Sequence, residues 1–238
     1  MDQAQTPVPG TTSIEREQHP HGGDWLREIV FGLNDGLVTT LVFIMVVSNV
    51  ATGHLVLIAL GEVIAGGVSM ALGGYLSADT AVNIRDFRVA MERHEIRNEP
   101  EEERAELRAI YQRKGFRGGL LDRVVDHLTA DEDRWLRAMM ADEHGLVEEH
   151  HRHPVVDGAL VGIAFVGGGL VPVIPFFASL THPQAWAYGL TALTALGFGA
   201  MKARYTLNGP IRSGVQFLVI VTAGTIAGVA LGMLLHAF

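Results

Sequence analysis

The sequence contains no cysteine, which excludes disulfide bonds, thiolate metal sites and a cysteine nucleophile. It is also short of basic residues, since 18 Lys and Arg stand against 26 Asp and Glu, for a formal net charge of -8. Nucleic-acid binding requires a basic surface that neutralises phosphates. This charge balance therefore argues against nucleic acid as a partner and fits the attraction of cations.

Long apolar runs are present. Apolar residues make up 48% of the chain, although 18% of its residues are charged. A helix needs about 20 mostly apolar residues to cross a bilayer core. Five stretches qualify or nearly do, and the rest of a 238-residue chain is too short to bury them all. We therefore predict an all-α, five-transmembrane-helix membrane protein with spans at residues 29–50, 55–77, 159–180, 185–201 and 213–235.

The positions of Lys and Arg predict the topology. All of them lie before the first span, between the second and third, or between the fourth and fifth. The positive-inside rule then predicts a cytoplasmic N-terminus and an external C-terminus. The polar residues 1–24 lack a basic stretch followed by an apolar run, so we predict a disordered cytoplasmic tail and no cleavable signal peptide.

A charged segment separates the second and third spans, and its patterns are helical. We predict a cytoplasmic helical domain over residues 79–154, inserted between transmembrane helices 1–2 (25–78) and 3–5 (155–238). No Gly or Pro falls between Leu76 and Glu99, so the second span is expected to run without a break into this domain.

The third span combines three consecutive glycines with two prolines. Gly167, Gly168 and Gly169 are followed by Pro172 and Pro175. This composition predicts a kinked or broken helix. A broken helix at membrane depth lines a cavity or packs within protein.

Two acidic residues, Asp35 and Glu62, lie inside the first two spans, where charged side chains are costly and usually functional. At 1.5 Å per residue from the assumed span ends, Asp35 and Met70 share a depth of about 10 Å, and Glu62 lies deeper. A carboxylate with a thioether suits borderline transition metals better than Ca²⁺ or Mg²⁺. A buried carboxyl also holds a proton. These residues predict a path on which a metal ion and protons compete.

More ordinary roles stay open for each of these residues. Asp35 also fits the headgroup region, Glu62 a hydrogen bond to a neighbouring helix, and Met70 simple packing.

The charged segment holds further candidate ligands at helical spacing. Residues three or four apart share one face of a helix. Five histidines nearby add possible ligands, although surface decoration is the ordinary role of each. A solvated face with Arg93, Arg97, Arg104 and Arg108 as counter-ions is the alternative for the acids. The same-face pairs are Glu92 with Glu95, Glu103 with Glu106, and Met139 with Glu143; the histidines are His94, His144, His150, His151 and His153.

The first three spans carry motifs that resemble the vacuolar iron transporter family, which includes calcium-cross-complementing and nodulin-like transporters. Residues 27–37 read REIVFGLNDGL, and residues 61–76 read GEVIAGGVSMALGGYL. Residues 168–175 read GGLVPVIP. The resemblance covers the chain from about Asp24 to its C-terminus.

This resemblance implies a homodimer that exchanges Fe²⁺, and often Mn²⁺, for protons, with Asp35, Glu62 and Met70 in the transport positions. It also implies regulatory metal in the inserted domain, on Glu92, Glu95, Glu103, Glu106, Met139 and Glu143, and no permanently bound cofactor. Polar Asp142 and His144 flank Glu143 where the family has apolar neighbours. We expect a bacterial-type member in the cell membrane, where the activity would be detoxifying efflux.

Two other functions deserve comparison. A membrane-tethered di-iron oxidase would need two Glu-x-x-His pairs on a helix bundle, and only Glu148 with His151 fits that spacing. A metal sensor without transport would need Asp35 and Glu62 for packing alone.

Overall fold

The computed structural model describes residues 23–48, 53–145, 153–205 and 209–236, and every regular element in these ranges is helical. The prediction of an all-α chain is therefore confirmed. Residues 1–22 of the predicted tail and the candidates Glu148, His150 and His151 lie outside the described residues, whereas Gly23 and Asp24, predicted to belong to the tail, form the start of α1. The elements are α1 (Gly23–Val47), α2 (Leu55–Asn98), α3 (Pro100–Arg113), α4 (Gly118–Thr129), α5 (Glu132–Asp142), α6 (Pro154–Phe177), α7 (Pro183–Lys202), a 3-10 helix (Ala203–Tyr205) and α8 (Pro210–His236).

Four of these helices, α1, α2, α6 and α8, are long and apolar enough to cross a membrane. The chain is therefore a multi-pass membrane protein. Helix α7 occupies the position of the predicted fourth span and has 20 residues, but it does not match the other four in hydropathy. The span at α7, and with it the total of five, stays a prediction.

Helix α2 is one uninterrupted helix of 44 residues, as the absence of Gly and Pro after Leu76 predicted. At 1.5 Å per residue it is about 66 Å long, roughly twice the thickness of a bilayer core. Its first half is apolar and its second half is charged. Only the first half fits within a membrane, so the second half lies outside it.

The charged half of α2 packs with α3 and α5 around a small apolar core of its own. The start of α5 is set by Asp131, whose side chain accepts a hydrogen bond of 2.8 Å from the backbone N–H of Arg134. Arg93 and Arg97 of α2 both pair with Glu132, which orients α5 on α2. The core consists of Ile96, Leu107, Ile110, Trp135, Leu136, Met139 and Met140.

Helix α6 packs against both α1 and α2 and is unbroken from Pro154 to Phe177. Of the predicted kink or break, the break is therefore absent, and the kink stays a prediction. Pro172 and Pro175 lie in the last two turns, and each lacks the N–H that would donate to the carbonyl four residues earlier. Both prolines are buried, and packing outweighs the local cost of the rings. Of the two expected roles, the sequence of α6 serves packing within protein.

Candidate metal sites

Helices α1 and α6 touch through their backbones. A Cβ added to Gly36 would lie 2.1 Å from the carbonyl oxygen of Phe165, and one added to Gly168 would lie 2.3 Å from that of Leu33. Both distances are far below any real contact, so only glycine fits at these positions. Asp35, next to Gly36, is therefore held on a rigid helix pair.

Glu62 of α2 is hydrogen-bonded to α1. Its Oε2 accepts a 2.8 Å hydrogen bond from the hydroxyl of Thr40. Thr40 and Val63 both border the space beside Gly169, so α1, α2 and α6 meet at this level. Thr40 follows Asp35 by five residues, or about 7.5 Å along α1, which places Glu62 beyond Asp35 as predicted. The hydrogen bond to a neighbouring helix, the alternative role for Glu62, is thus present.

Asp35 lies near the middle of the apolar stretch Trp25–Val47, well away from either end. This position disagrees with the alternative of a headgroup residue. The hydroxyl of Thr39 lies 3.4 Å from one carboxylate oxygen of Asp35, and the charge of Asp35 acts on the carboxyl of Glu62. Two acids in one apolar region repel each other unless a cation or a proton neutralises them.

Met70 lies about one turn from Asp35 rather than at the same depth. Gly36 borders the backbone of Phe165 and Gly169 on α6, and Gly67 borders Gly162 and Val166, so Asp35 lies near the level of Gly66. Met70 is four residues further toward the charged half of α2, or about 6 Å. The expected depth was counted from residue 29, whereas α1 begins at Gly23. Met70, Asp35 and Glu62 therefore form a ladder at successive levels of the helix bundle.

The charged half of α2 brings the five predicted glutamates within reach of one another's charge. Glu92 and Glu103 are buried, at 1% and 7% exposure, whereas Glu106 is exposed. Met139 is fully buried one turn before Glu143, and its carbonyl accepts the backbone N–H of Glu143. The five acids are Glu92 and Glu95 on α2, Glu103 and Glu106 on α3, and Glu143 at the end of α5. We refer to them as the acidic cluster.

Burial and mutual repulsion make this cluster hold protons. Burial, followed by the charge of Glu143, raises the pKa of Glu92 to about 7. Burial, followed by the charge of Glu92, raises the pKa of Glu103 to about 8. The pKa of Glu143 is also raised, first by burial and then by Glu106. At neutral pH the cluster therefore shares protons that a divalent cation could replace.

The arginines offered as counter-ions pair with other acids instead. Arg93 and Arg97 pair with Glu132, and Arg93 also pairs with Asp133. Arg104 pairs with Asp126 and Arg108 with Asp122. The alternative of an arginine-neutralised face is therefore not what the structure shows.

The donor set fits a divalent cation. Glu92 Oε1 is buried and has no nitrogen or hydroxyl donor in the described part of the chain. The carboxyl of Glu103 can bond to Glu92 only when one of the two acids is protonated. Glu92, Glu143 and His144 each offer a ligand atom within 4.8 Å of the others. The role of the predicted residues as metal ligands stays a prediction.

The stability of the folded protein without bound metal should depend on pH through the acidic cluster. Because the folded pKa values of Glu92 and Glu103 are raised above the ordinary value of 4.5, the unfolded chain loses protons that the folded cluster keeps. Stability then falls as pH rises from about 4.5 to about 8. Chelator-treated protein should melt at least about 2 °C lower at pH 8.5 than at pH 5.5, the shift that roughly 1 kcal/mol produces in a chain of this size.

The double variant Glu92→Gln/Glu103→Gln should lose most of this pH dependence, because amides do not titrate. Glu102→Gln, at an exposed glutamate of the same helix as Glu103, is the matched control and should retain it. Equal slopes in the wild type and the double variant would contradict the assignment.

Two contacts were not anticipated. The sequence analysis did not select Thr40 as a candidate. Its signal would have been a hydroxyl within an apolar run, five residues after Asp35. His144 was one of five candidate histidines, and it lies against Glu92. Spacing along the chain gives no signal for this contact, because 52 residues separate the two.

Comparison with known proteins assigns the chain to a family. It is 35% identical over 208 residues to vacuolar iron transporter 2 of Oryza sativa subsp. japonica, covering 86% of this chain and 85% of the relative. It is 30% identical over 232 residues to vacuolar iron transporter 1 of Tulipa gesneriana, covering 94% of each. The Plasmodium berghei vacuolar iron transporter is 27% identical over 225 residues, covering 89% of this chain and 81% of the relative.

The resemblance to the vacuolar iron transporter family is therefore confirmed, and the relatives' names describe iron transporters rather than enzymes. These relatives lend no support to the expectation of a bacterial-type member. The VIT family matches residues 26–233, nearly the whole described chain, and this protein belongs to that family.

Proposed function

We propose that this protein exchanges Fe²⁺, and also Mn²⁺, for protons and moves the metal out of the cytoplasm. The observation that carries the proposal is the ladder of Met70, Asp35 and Glu62 inside the apolar helices. The relatives named as iron transporters support metal as the substrate.

The chemistry follows from two acids in an apolar bundle. A carboxylate there is costly unless a metal ion or a proton neutralises it. Metal bound at Asp35 and Glu62 therefore leaves most readily when protons replace it, and protons leave when metal arrives. Met70 adds a thioether, which favours transition metals over Ca²⁺ and Mg²⁺.

The acidic cluster would serve as a regulatory metal site on the cytoplasmic side. With α7 counted as a span, the basic residues near the start of α1, in the inserted domain and around the junction of α7 and α8 all face the cytoplasm. This topology has a cytoplasmic N-terminus and an external C-terminus.

The membrane involved is a separate part of the proposal. The names of the relatives place those proteins in vacuoles, whereas we proposed the cell membrane from the sequence. Metal leaves the cytoplasm in either location, so detoxification follows from the direction of transport.

Metal uptake into sealed vesicles tests the proposal. Purified protein is reconstituted, a pH gradient with acid inside is imposed, and uptake of Fe²⁺ is followed with an internal metal-sensitive dye under anaerobic conditions. An antiporter accumulates metal only while the gradient lasts and alkalinises the interior as it does so. Uptake unaffected by an uncoupler would exclude proton coupling, and no uptake with intact metal binding would favour the sensor.

We also propose a homodimer. An apolar stripe runs along α2 through Ile64, Val68 and Leu72 and continues to Ile84, Phe87 and Met91. Phe87 is 68% exposed although it lies about ten residues, or 15 Å, past the apolar stretch. Lipid does not reach that far. A second copy is the partner that would cover the stripe on both sides of the membrane surface.

Because the chain has no cysteine, single cysteines report this contact cleanly. Ile84→Cys, Phe87→Cys and Met91→Cys should cross-link into dimers with a short bismaleimide in detergent at micromolar protein. Leu120→Cys on α4, a site 50% exposed, is the matched control and should stay monomeric on denaturing gels. Cross-linking no stronger than in the control would contradict the dimer.

A further inference from the structure

His144 follows the end of α5 and is fixed there by the backbone. The N–H groups of Glu143 and His144 both donate to the carbonyl of Met139, at 2.9 and 3.4 Å. Gly145 then turns the chain with a positive φ of 65°, a conformation that glycine adopts freely. The imidazole is 17% exposed, and its Nε2 lies 3.1 Å from Glu92 Oε2.

The acids around this nitrogen are not neutralised by an arginine in the described part of the chain. The other oxygen of Glu92, Oε1, is buried without a nitrogen or hydroxyl donor in the ranges that the structure describes. Five acids share the space, and the neighbouring arginines pair elsewhere. One ring nitrogen of His144 and one carboxylate oxygen each of Glu92 and Glu143 lie within 4.8 Å of one another, close enough to bind one ion.

We propose that His144 is itself a metal ligand and sets the selectivity of the acidic cluster. The inference rests on the proposed role of the cluster as a metal site. It adds an imidazole nitrogen to the carboxylates supplied from α2, from α3 and from Glu143 at the end of α5. The cluster is then a mixed nitrogen–oxygen site rather than an all-carboxylate site with one thioether.

The chemical consequence is a change in preference among divalent ions. Carboxylate oxygens alone suit Mg²⁺, Ca²⁺ and Mn²⁺, whereas imidazole suits Fe²⁺, Ni²⁺ and Zn²⁺. Affinity of a nitrogen ligand rises from Mn²⁺ through Fe²⁺ to Co²⁺. His144 therefore raises the affinity of the cluster for Co²⁺ and Fe²⁺ more than its affinity for Mn²⁺.

Metal titration of the full-length protein in detergent tests whether His144 sets this preference. Co²⁺ binding is followed by its visible absorption and Mn²⁺ binding by calorimetry, in an Asp35→Asn background that weakens binding at the membrane site. His144→Gln retains a hydrogen-bonding side chain for Glu92 but removes the imidazole. Loss of an outer-shell partner already lowers metal affinity about 10- to 100-fold, so Co²⁺ affinity should fall at least about tenfold. Mn²⁺ affinity should fall less than threefold, and the Co²⁺ spectrum should change.

His127→Gln on α4, an exposed histidine, is the matched control and should leave both titrations unchanged. An equal loss for Co²⁺ and Mn²⁺, or no loss for either, would overturn the role of His144. Glu92→Gln separates this failure from failure of the metal site. If Glu92→Gln lowers the affinity for both ions while His144→Gln lowers neither, only the inference about His144 falls. If neither variant affects binding, the metal site itself falls.

Discussion

Asp35→Asn should reduce proton-driven Fe²⁺ uptake to the level of protein-free vesicles. The amide has the shape of the carboxyl but carries neither a charge for the metal nor an exchangeable acid proton. On the proposed path Asp35 lies between Met70 and Glu62, so in the variant a metal ion would lack this ligand midway along its route. Because the amide does not crowd Gly36 or α6, the fold and the dimer should survive. Initial rates of dye quenching in sealed vesicles provide the measurement.

Asp79→Asn is the matched control for this loss. Asp79 is also an acid of the helical bundle, but it lies past the apolar stretch of α2 and accepts a hydrogen bond from Asn83. Its replacement should leave uptake near the wild-type rate. Wild-type flux in Asp35→Asn, with the same proton coupling, would remove Asp35 from the path and with it the proposed exchange mechanism.

Much of the helical framework was predictable because membrane spans depend mainly on local composition. Hydropathy located α1, α2, α6 and α8 to within a few residues at most ends, and the lack of Gly and Pro after Leu76 predicted the continuity of α2. Of the kink or break predicted for α6, the break is absent for a physical reason. Proline and glycine weaken an isolated helix, but α6 is packed on two sides, and its glycines are what permit that packing.

In the candidate sites, pairs of residues within one helix could be predicted, whereas contacts between helices could not. Same-face spacing selected Glu92 with Glu95 and Glu103 with Glu106, since both members of each pair belong to one helix. Sequence spacing could not show that Arg104 and Arg108 pair with α4, because that depends on how α3 and α4 pack. The same holds for the contact of His144 with Glu92 and for the donation of Thr40 to Glu62.

The contact between α1 and α6 gives the sharpest stability prediction, because adjacent glycines of α6 should respond in opposite directions. A Cβ added by Gly168→Ala would lie 2.3 Å from the carbonyl oxygen of Leu33 and 3.1 Å from the N–H nitrogen of Leu37. These atoms form one backbone hydrogen bond of α1, so no side chain can move aside. The helices must separate, and overpacking of this kind costs about 1–3 kcal/mol.

Gly167→Ala is the control one residue away. Nothing lies within 4 Å of a Cβ added there, so the substitution should stabilise α6 by about 0.5–1 kcal/mol through helix propensity alone. The two variants should therefore differ by roughly 5–10 °C in apparent melting temperature, measured in the same detergent. Gly168→Ala should also slow metal uptake, since Asp35 lies on α1 between the two residues that the added Cβ displaces. Equal melting temperatures would mean that α1 and α6 are further apart than the backbone contact at Gly168 requires, and the position of Asp35 against α6 would then be wrong as well.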